Sequence, residues 1–171
     1  MKEFAFDFLN KYKEKTRDRI GREISKSFTA QQLDIFSVYN TYLVADKGYH
    51  SKAYRSNRQT GTTTALIIIS SHAYENGKSV LYIANNQSMA RNAMSLFEEK
   101  ADISMNSNFG RFEVRGAHSL DGCRGHTYDM VLLDNIYAPG KSAEIHNDLF
   151  PSIYCTKNKG LVLEVQTAEY F

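Results

Sequence analysis

The chain has 171 residues, 42% hydrophobic and 23% charged, with a formal net charge of +2. That is the size and composition of one globular domain with or without a short arm; only 2 Pro and 10 Gly exclude collagen and low-complexity arrays. Two cysteines, Cys123 and Cys155, are too few for a disulfide framework or a cysteine zinc cluster, and no apolar run approaches the length of a membrane span.

Residues 4–24 place Phe8, Leu9, Tyr12, Ile20 and Ile24 near helical spacing among charges, which predicts an amphipathic helix in an N-terminal arm over 1–27. Thr29 with Gln32 three residues on is a capping-box pattern, and Leu33, Phe36, Tyr39 and Leu43 then repeat at three and four, predicting a helix over 29–44. From about residue 50 strands and helices alternate. Ser51–Ser56 reads as a short polar strand, residues 58–64 as a small-residue turn, and 64–74 as a buried helix ended by Asn76-Gly77. Ser79–Ala84, Met130–Asp134 and Leu161–Val165 are buried strands and Phe112–Val114 a short one. Helices are expected over 87–100, with Met89, Ala93, Met94 and Phe97 on one side, and over 142–149. Such alternation predicts an α/β fold with a mainly parallel sheet flanked by helices and preceded by N-terminal helices.

Two segments fall where α/β sheets bind ligands, beyond the carboxyl ends of strands. The first, Asn57-Arg58-Gln59-Thr60-Gly61-Thr62-Thr63-Thr64, lies between a strand and a helix. Residues 47–74 around it carry Lys47, Lys52, Arg55 and Arg58 and no acid, a charge balance that suits phosphate. A phosphate loop needs a tight turn, a helix N-terminus and a hydroxyl for Mg²⁺; Gly61 supplies the turn and Thr63 the hydroxyl. Against G-x-x-x-x-G-K-[ST], Ser56 replaces the first glycine and Thr62 the lysine. A Thr-rich, ordinarily capped helix start has the same letters. The second segment, Met130–Asp134, is an apolar strand ending in a carboxylate, the form of a Walker B strand. The residue after it is Asn135, whose amide orients water but accepts no proton. Asp134 follows Thr63 by 71 residues with a strand–helix–strand between, which fits P-loop ATPases of the ASCE type, in which an extra strand lies between the two motifs.

From about Phe28 to Thr167 the chain resembles the N-terminal ATPase domain of the large terminase subunit, the DNA-packaging motor of tailed phages. Phe28–Asp34 resembles the upstream glutamine motif, 57–64 the terminase Walker A, and Val80–Asn85 with Ser88–Arg91 the next strand and helix. Arg124-Gly125-His126-Thr127 before Met130–Asp134 resembles the stretch leading into Walker B, and Gly160–Thr167 the strand ending in the coupling motif. The resemblance implies a P-loop ATPase-like domain over 28–171 that uses ATP and Mg²⁺. It implies that Gln32 reads adenine, that Asn57, Arg58, Gln59, Thr60, Gly61, Thr62, Thr63 and Thr64 hold the nucleotide, and that Arg58 senses or neutralises the γ-phosphate. Thr63 and Asp134 would hold the metal, Asn135 would stand at the catalytic position, and Thr167 would couple hydrolysis to motion.

It also implies partners: the portal, the small terminase subunit, a nuclease domain or subunit, and double-stranded DNA in the assembled motor, within the cytoplasm of an infected bacterium and without a membrane. No nuclease domain is expected in this chain. Thr62 for lysine and Asn135 for glutamate point to slow or absent hydrolysis, because phosphoryl transfer rests on electrostatics and positioning. The alternative is a catalytically degenerate P-loop module acting as a non-enzymatic protein-interaction or regulatory subunit.

Overall fold

A computed structural model of the chain describes residues 28–57, 60–101, 110–123, 125–136, 141–148 and 159–167. The expected arm over 1–27, Arg58, Gln59 and Arg124 lie outside the described residues.

Helix α1, Ala30–Val44, starts at the expected capping box: the Gln32 amide donates to the Thr29 hydroxyl at 3.2 Å, and the Thr29 amide to Gln32 Oε1 at 2.9 Å. Its buried face is Gln32, Ile35, Phe36, Tyr39 and Tyr42, so the expected stripe is rotated and Leu33 lies 47% exposed. The correction has a packing cause: the tyrosines bring larger surfaces into the core than Leu33 does. Strand β1, Gly48–Ser56, extends three residues before the expected start. It is an edge strand paired only with β5, Lys159–Thr167, in the described sheet, which explains its polar sequence.

Helix α2, Thr62–Glu75, is buried along most of its length. Ser70 and Ser71 are tolerated there because their hydroxyls donate back to the carbonyls of Leu66 (2.7 Å) and Ile67 (3.1 Å). The helix ends as expected at Asn76-Gly77, with Gly77 at φ 73°. Then come β2 (Ser79–Ala84), α3 (Gln87–Lys100), β3 (Arg111–Gly116), β4 (Met130–Asp134) and α4 (Lys141–Asp148). On α3 the buried residues are Ala90, Ala93 and Phe97, with Met89 and Met94 exposed, a second rotation of an expected stripe. Small Ala90 and Ala93 let the helix backbone approach the sheet, where Phe97 stacks on Phe112 at 3.8 Å between centroids.

All four ladders are parallel, and the strand order is β1-β5-β4-β2-β3. The expected α/β fold is therefore present, with one strand, β5, between the loop-bearing β1 and the Asp-bearing β4. One core lies between the sheet and α1, α2 and α3. A smaller one on the other face gathers Leu81, Ile83, Tyr128, Val131, Leu133, Ile136 and Ile145. Tyr39, Tyr42 and Tyr54 belong to the first core, and Tyr49 lies over Gly160, where an added Cβ would sit 3.0 Å from its ring.

Two buried glutamates close the second face. Glu113 accepts hydrogen bonds from Tyr128 (2.7 Å) and Arg115 Nε (2.8 Å) and pairs with Arg111. Glu164 accepts from Ser142 (2.6 Å) and Gln166 (2.7 Å) and meets His146 at 3.1 Å, which ties α4 to β5. Burial alone would raise both carboxyls, but these hydrogen bonds and neighbouring charges outweigh it and hold both below the usual glutamate value. A carboxyl lowered on folding adds stability above its unfolded value, about 4.3, and loses it as pH falls through the folded value. Melting temperature is therefore expected to fall as pH drops from 6 towards 3, with a shallower slope for Glu113→Gln. Equal slopes in a pH series of thermal melts would contradict this assignment. Cys123, fully buried beside Glu113, has its thiol pushed up by burial and by that carboxylate, which makes it an unreactive cysteine.

Candidate functional site

β1 delivers the chain at Ser56 into the loop that leads to α2. Gly61 is the N-cap of α2 and lies in the left-handed region at φ 73°, a conformation that costs a residue with a Cβ. As a glycine it has no side chain with which to cap the helix, whose first turn is the positive end of the helix dipole.

The start of α1 holds the loop from behind. The Thr29 hydroxyl donates to the Thr60 carbonyl at 2.8 Å, and Gln32 Nε2 donates to the Gly61 carbonyl at 3.0 Å. Gln32 is thus brought to the loop, with its amide oxygen already taken by the Thr29 amide. Within the loop, the Thr60 hydroxyl donates to the Asn57 carbonyl at 3.1 Å. Asn57 and Thr64 are exposed, Thr63 is half-buried and Thr62 is buried. Thr62 is therefore folded into the protein rather than held out over the loop.

The two motifs meet. The Thr63 hydroxyl donates to Asp134 Oδ2 at 2.8 Å, across 71 residues of sequence. The meeting follows from topology, because parallel β1, β5 and β4 place their carboxyl ends side by side. Asp134 is 5% exposed and accepts three hydrogen bonds, from Thr63 and Tyr82 on Oδ2 and from Asn135 Nδ2 on Oδ1 (2.8 Å). Burial nevertheless dominates and raises the carboxyl above the usual aspartate range. A buried carboxylate that is costly as an anion is suited to a cation. Asn135 is buried and left-handed at φ 54°, and its amide N–H donates to the Val165 carbonyl at 2.7 Å. Its side chain is therefore turned onto Asp134.

Thr167 closes β5 in register with Ser56, where the loop departs, so its backbone adjoins the site. Glu164 is not part of this cluster: alternation along β5 puts it on the α4 face, with Ser142 and His146, while Asp134 faces α2. Tyr82 was not singled out from sequence. In SVLYIA it reads as one more apolar position of a buried strand, and only its sheet register with β4 reveals its partner.

Among the described residues no group of three or more His, Cys, Asp or Glu gathers to hold a metal. A divalent ion here would be held by one hydroxyl, one carboxylate and the ligand's own oxygens, the donor set that suits Mg²⁺. A groove of about 710 Å³ lies elsewhere, lined by residues such as Asn40, Val44, His72 and Lys78 at the far ends of α1 and α2. Among the described residues no helix is long and apolar enough to cross a membrane.

No protein-family model matches the chain, and no curated protein matches it. Among solved structures, the large terminase ATPase domain of Thermus phage P74-26 is similar, with TM-score 0.48 and 16% identity over 80% of this chain and 69% of that one. An arginine-to-alanine mutant of the same domain gives TM-score 0.48 and 13% identity over the same shares.

Proposed function

We propose that the chain is an ATP-binding motor domain of the terminase large-subunit type, coupling ATP binding or hydrolysis to packaging of viral double-stranded DNA. The observation that carries the nucleotide site is the Thr63–Asp134 hydrogen bond at the N-terminus of a helix whose N-cap is a glycine, one strand removed from the loop-bearing strand. In this reading residues 57–64 hold the phosphates through backbone amides, and Gln32 and Thr29 fix the loop's shape. Thr63 and Asp134 hold Mg²⁺, which when bound neutralises charge on the phosphoryl oxygens. Arg58 supplies the cation that Thr62 does not. Thr167, where β5 meets the start of the loop, passes changes at the phosphates to the rest of the motor. The portal, the small terminase subunit and a nuclease domain or subunit are the partners, in the cytoplasm of an infected bacterium.

A second reading is favoured by one observation: the Asn135 side chain is spent on Asp134 and accepts no proton, so the site holds a ligand better than it activates water. Under it the chain binds nucleotide as a regulatory or protein-interaction module and hydrolyses little.

The test is a titration of a fluorescent ATP analogue, with and without Mg²⁺, on wild type, Arg58→Ala and Asp134→Ala. Saturable Mg²⁺-dependent binding, weakened at least about tenfold in both variants, is the expected result. Absence of binding at millimolar nucleotide would overturn the nucleotide site. Hydrolysis measured on the same samples separates the motor from the regulatory module.

A further inference from the structure

We propose that Tyr82 is a positioning residue for the metal-facing carboxylate: its hydroxyl, at 2.6 Å from Asp134 Oδ2, fixes the orientation in which Asp134 receives Mg²⁺. The inference rests on the nucleotide reading above and adds to it a residue outside both motifs.

The geometry is specific. Tyr82 lies on β2, in register with Leu132, while Ala84 is in register with Asp134. Alternation puts Tyr82, Ala84 and Asp134 on one face of the sheet. Ala84 carries only a methyl beside Asp134, so the tyrosine one step back along β2 leans forward over it and reaches the carboxylate diagonally. Its ring is fully buried and meets Phe112 edge-on at 6.2 Å between centroids, so the hydroxyl is delivered from a fixed support.

Two hydroxyls share Oδ2, and they are not equivalent. Thr63 is half-buried in the first turn of α2 and, in the nucleotide reading, is the hydroxyl that would turn to the metal. Tyr82 is fully buried, with no room to follow. Once Thr63 turns away, Tyr82 on Oδ2 and Asn135 on Oδ1 are the remaining donors of the three, one on each oxygen. Together they stop rotation of the carboxylate about its terminal bond. Outer hydrogen bonds of this kind orient metal ligands, and their loss commonly costs 10–100-fold in metal affinity (about that order).

The test is the Mg²⁺ dependence of nucleotide binding in Tyr82→Phe, a change that removes one oxygen and keeps the packed ring. Affinity for the fluorescent ATP analogue in EDTA is expected to match wild type, while the gain in affinity on adding Mg²⁺ shrinks about tenfold. A double-mutant cycle with Asp134→Ala makes the attribution: Tyr82→Phe is expected to have no further effect on Mg²⁺-dependent binding once the carboxylate is gone. Thermal melts without ligand show that each variant is folded. An unchanged Mg²⁺ gain in folded Tyr82→Phe, with wild type binding normally, would overturn the role of Tyr82 alone. Failure of wild type to bind the analogue under any condition would overturn the nucleotide reading and this role with it.

Discussion

Gly61→Ala is expected to lower the melting temperature by about 6–16 °C and to abolish nucleotide binding. Two terms add. Gly61 sits at φ 73°, where a Cβ costs about 1–2 kcal/mol. An added Cβ would also lie 2.4 Å from Gln32 Nε2, so the amide that buttresses the loop must leave. Gln32 makes hydrogen bonds to the Thr29 amide and the Gly61 carbonyl, each worth about 1 kcal/mol net. The sum, about 3–4 kcal/mol, converts at about 2–4 °C per kcal/mol for a domain of this size. The two terms separate in Gln32→Ala/Gly61→Ala, where the clash is gone and only the backbone term remains. That double variant is expected to melt about 2–8 °C below Gln32→Ala alone, by the same conversion. A Gly61→Ala protein that melts with wild type would refute the loop geometry.

Asn135→Glu places a carboxylate at the position that the proposed function makes catalytic, yet the ligand-free protein is expected to lose stability. The substitution removes the amide donor at 2.8 Å from Asp134 Oδ1 and sets a like charge against a carboxyl that burial already pushes up. It also holds a glutamate at φ 54°, a conformation asparagine tolerates better than most residues. About 2–4 kcal/mol at neutral pH is the expected cost, in the range of changes that break a buried polar network. The pH dependence follows from linkage. Burial raises Asp134 on folding and a glutamate set against it is expected to be raised as well, so the folded variant binds more protons than its unfolded state and its stability falls as pH rises through the folded values. The deficit of Asn135→Glu relative to wild type is therefore expected to shrink from pH 8 to pH 5. Mg²⁺ with nucleotide is expected to stabilise the variant more than wild type, because the cation meets the added charge. Denaturant melts at three pH values check both statements, and a deficit independent of pH would rule out the like-charge explanation.

Much of the architecture was legible locally. Ser79–Ala84 and Met130–Asp134 form strands with the expected bounds, and α3 spans the expected 87–100. The Thr29–Gln32 capping box is read directly, since its partners are three residues apart. Faces were less legible. On α1 and α3 the spacing named a stripe one step away from the buried one, because several faces of each helix carry apolar residues and the neighbours decide which is covered. Lengths of β1 and β5 were underestimated at their polar ends, which backbone pairing between the two strands extends.

For the site the division is sharper. Residue identities alone determined that this chain has a glycine turn, a threonine hydroxyl, an apolar strand ending in aspartate, and neither the usual lysine nor the usual glutamate. They determined these things because each is a local pattern: a φ requirement, a strand period, a missing charge. Only the tertiary structure decided that Thr63 touches Asp134, that Gln32 props up the loop, that Thr62 is folded inward, and that Asn135 and Tyr82 both bond the same carboxylate. Those contacts come from the order in which five parallel strands pair, and pairing order is set by the whole buried surface rather than by any one segment.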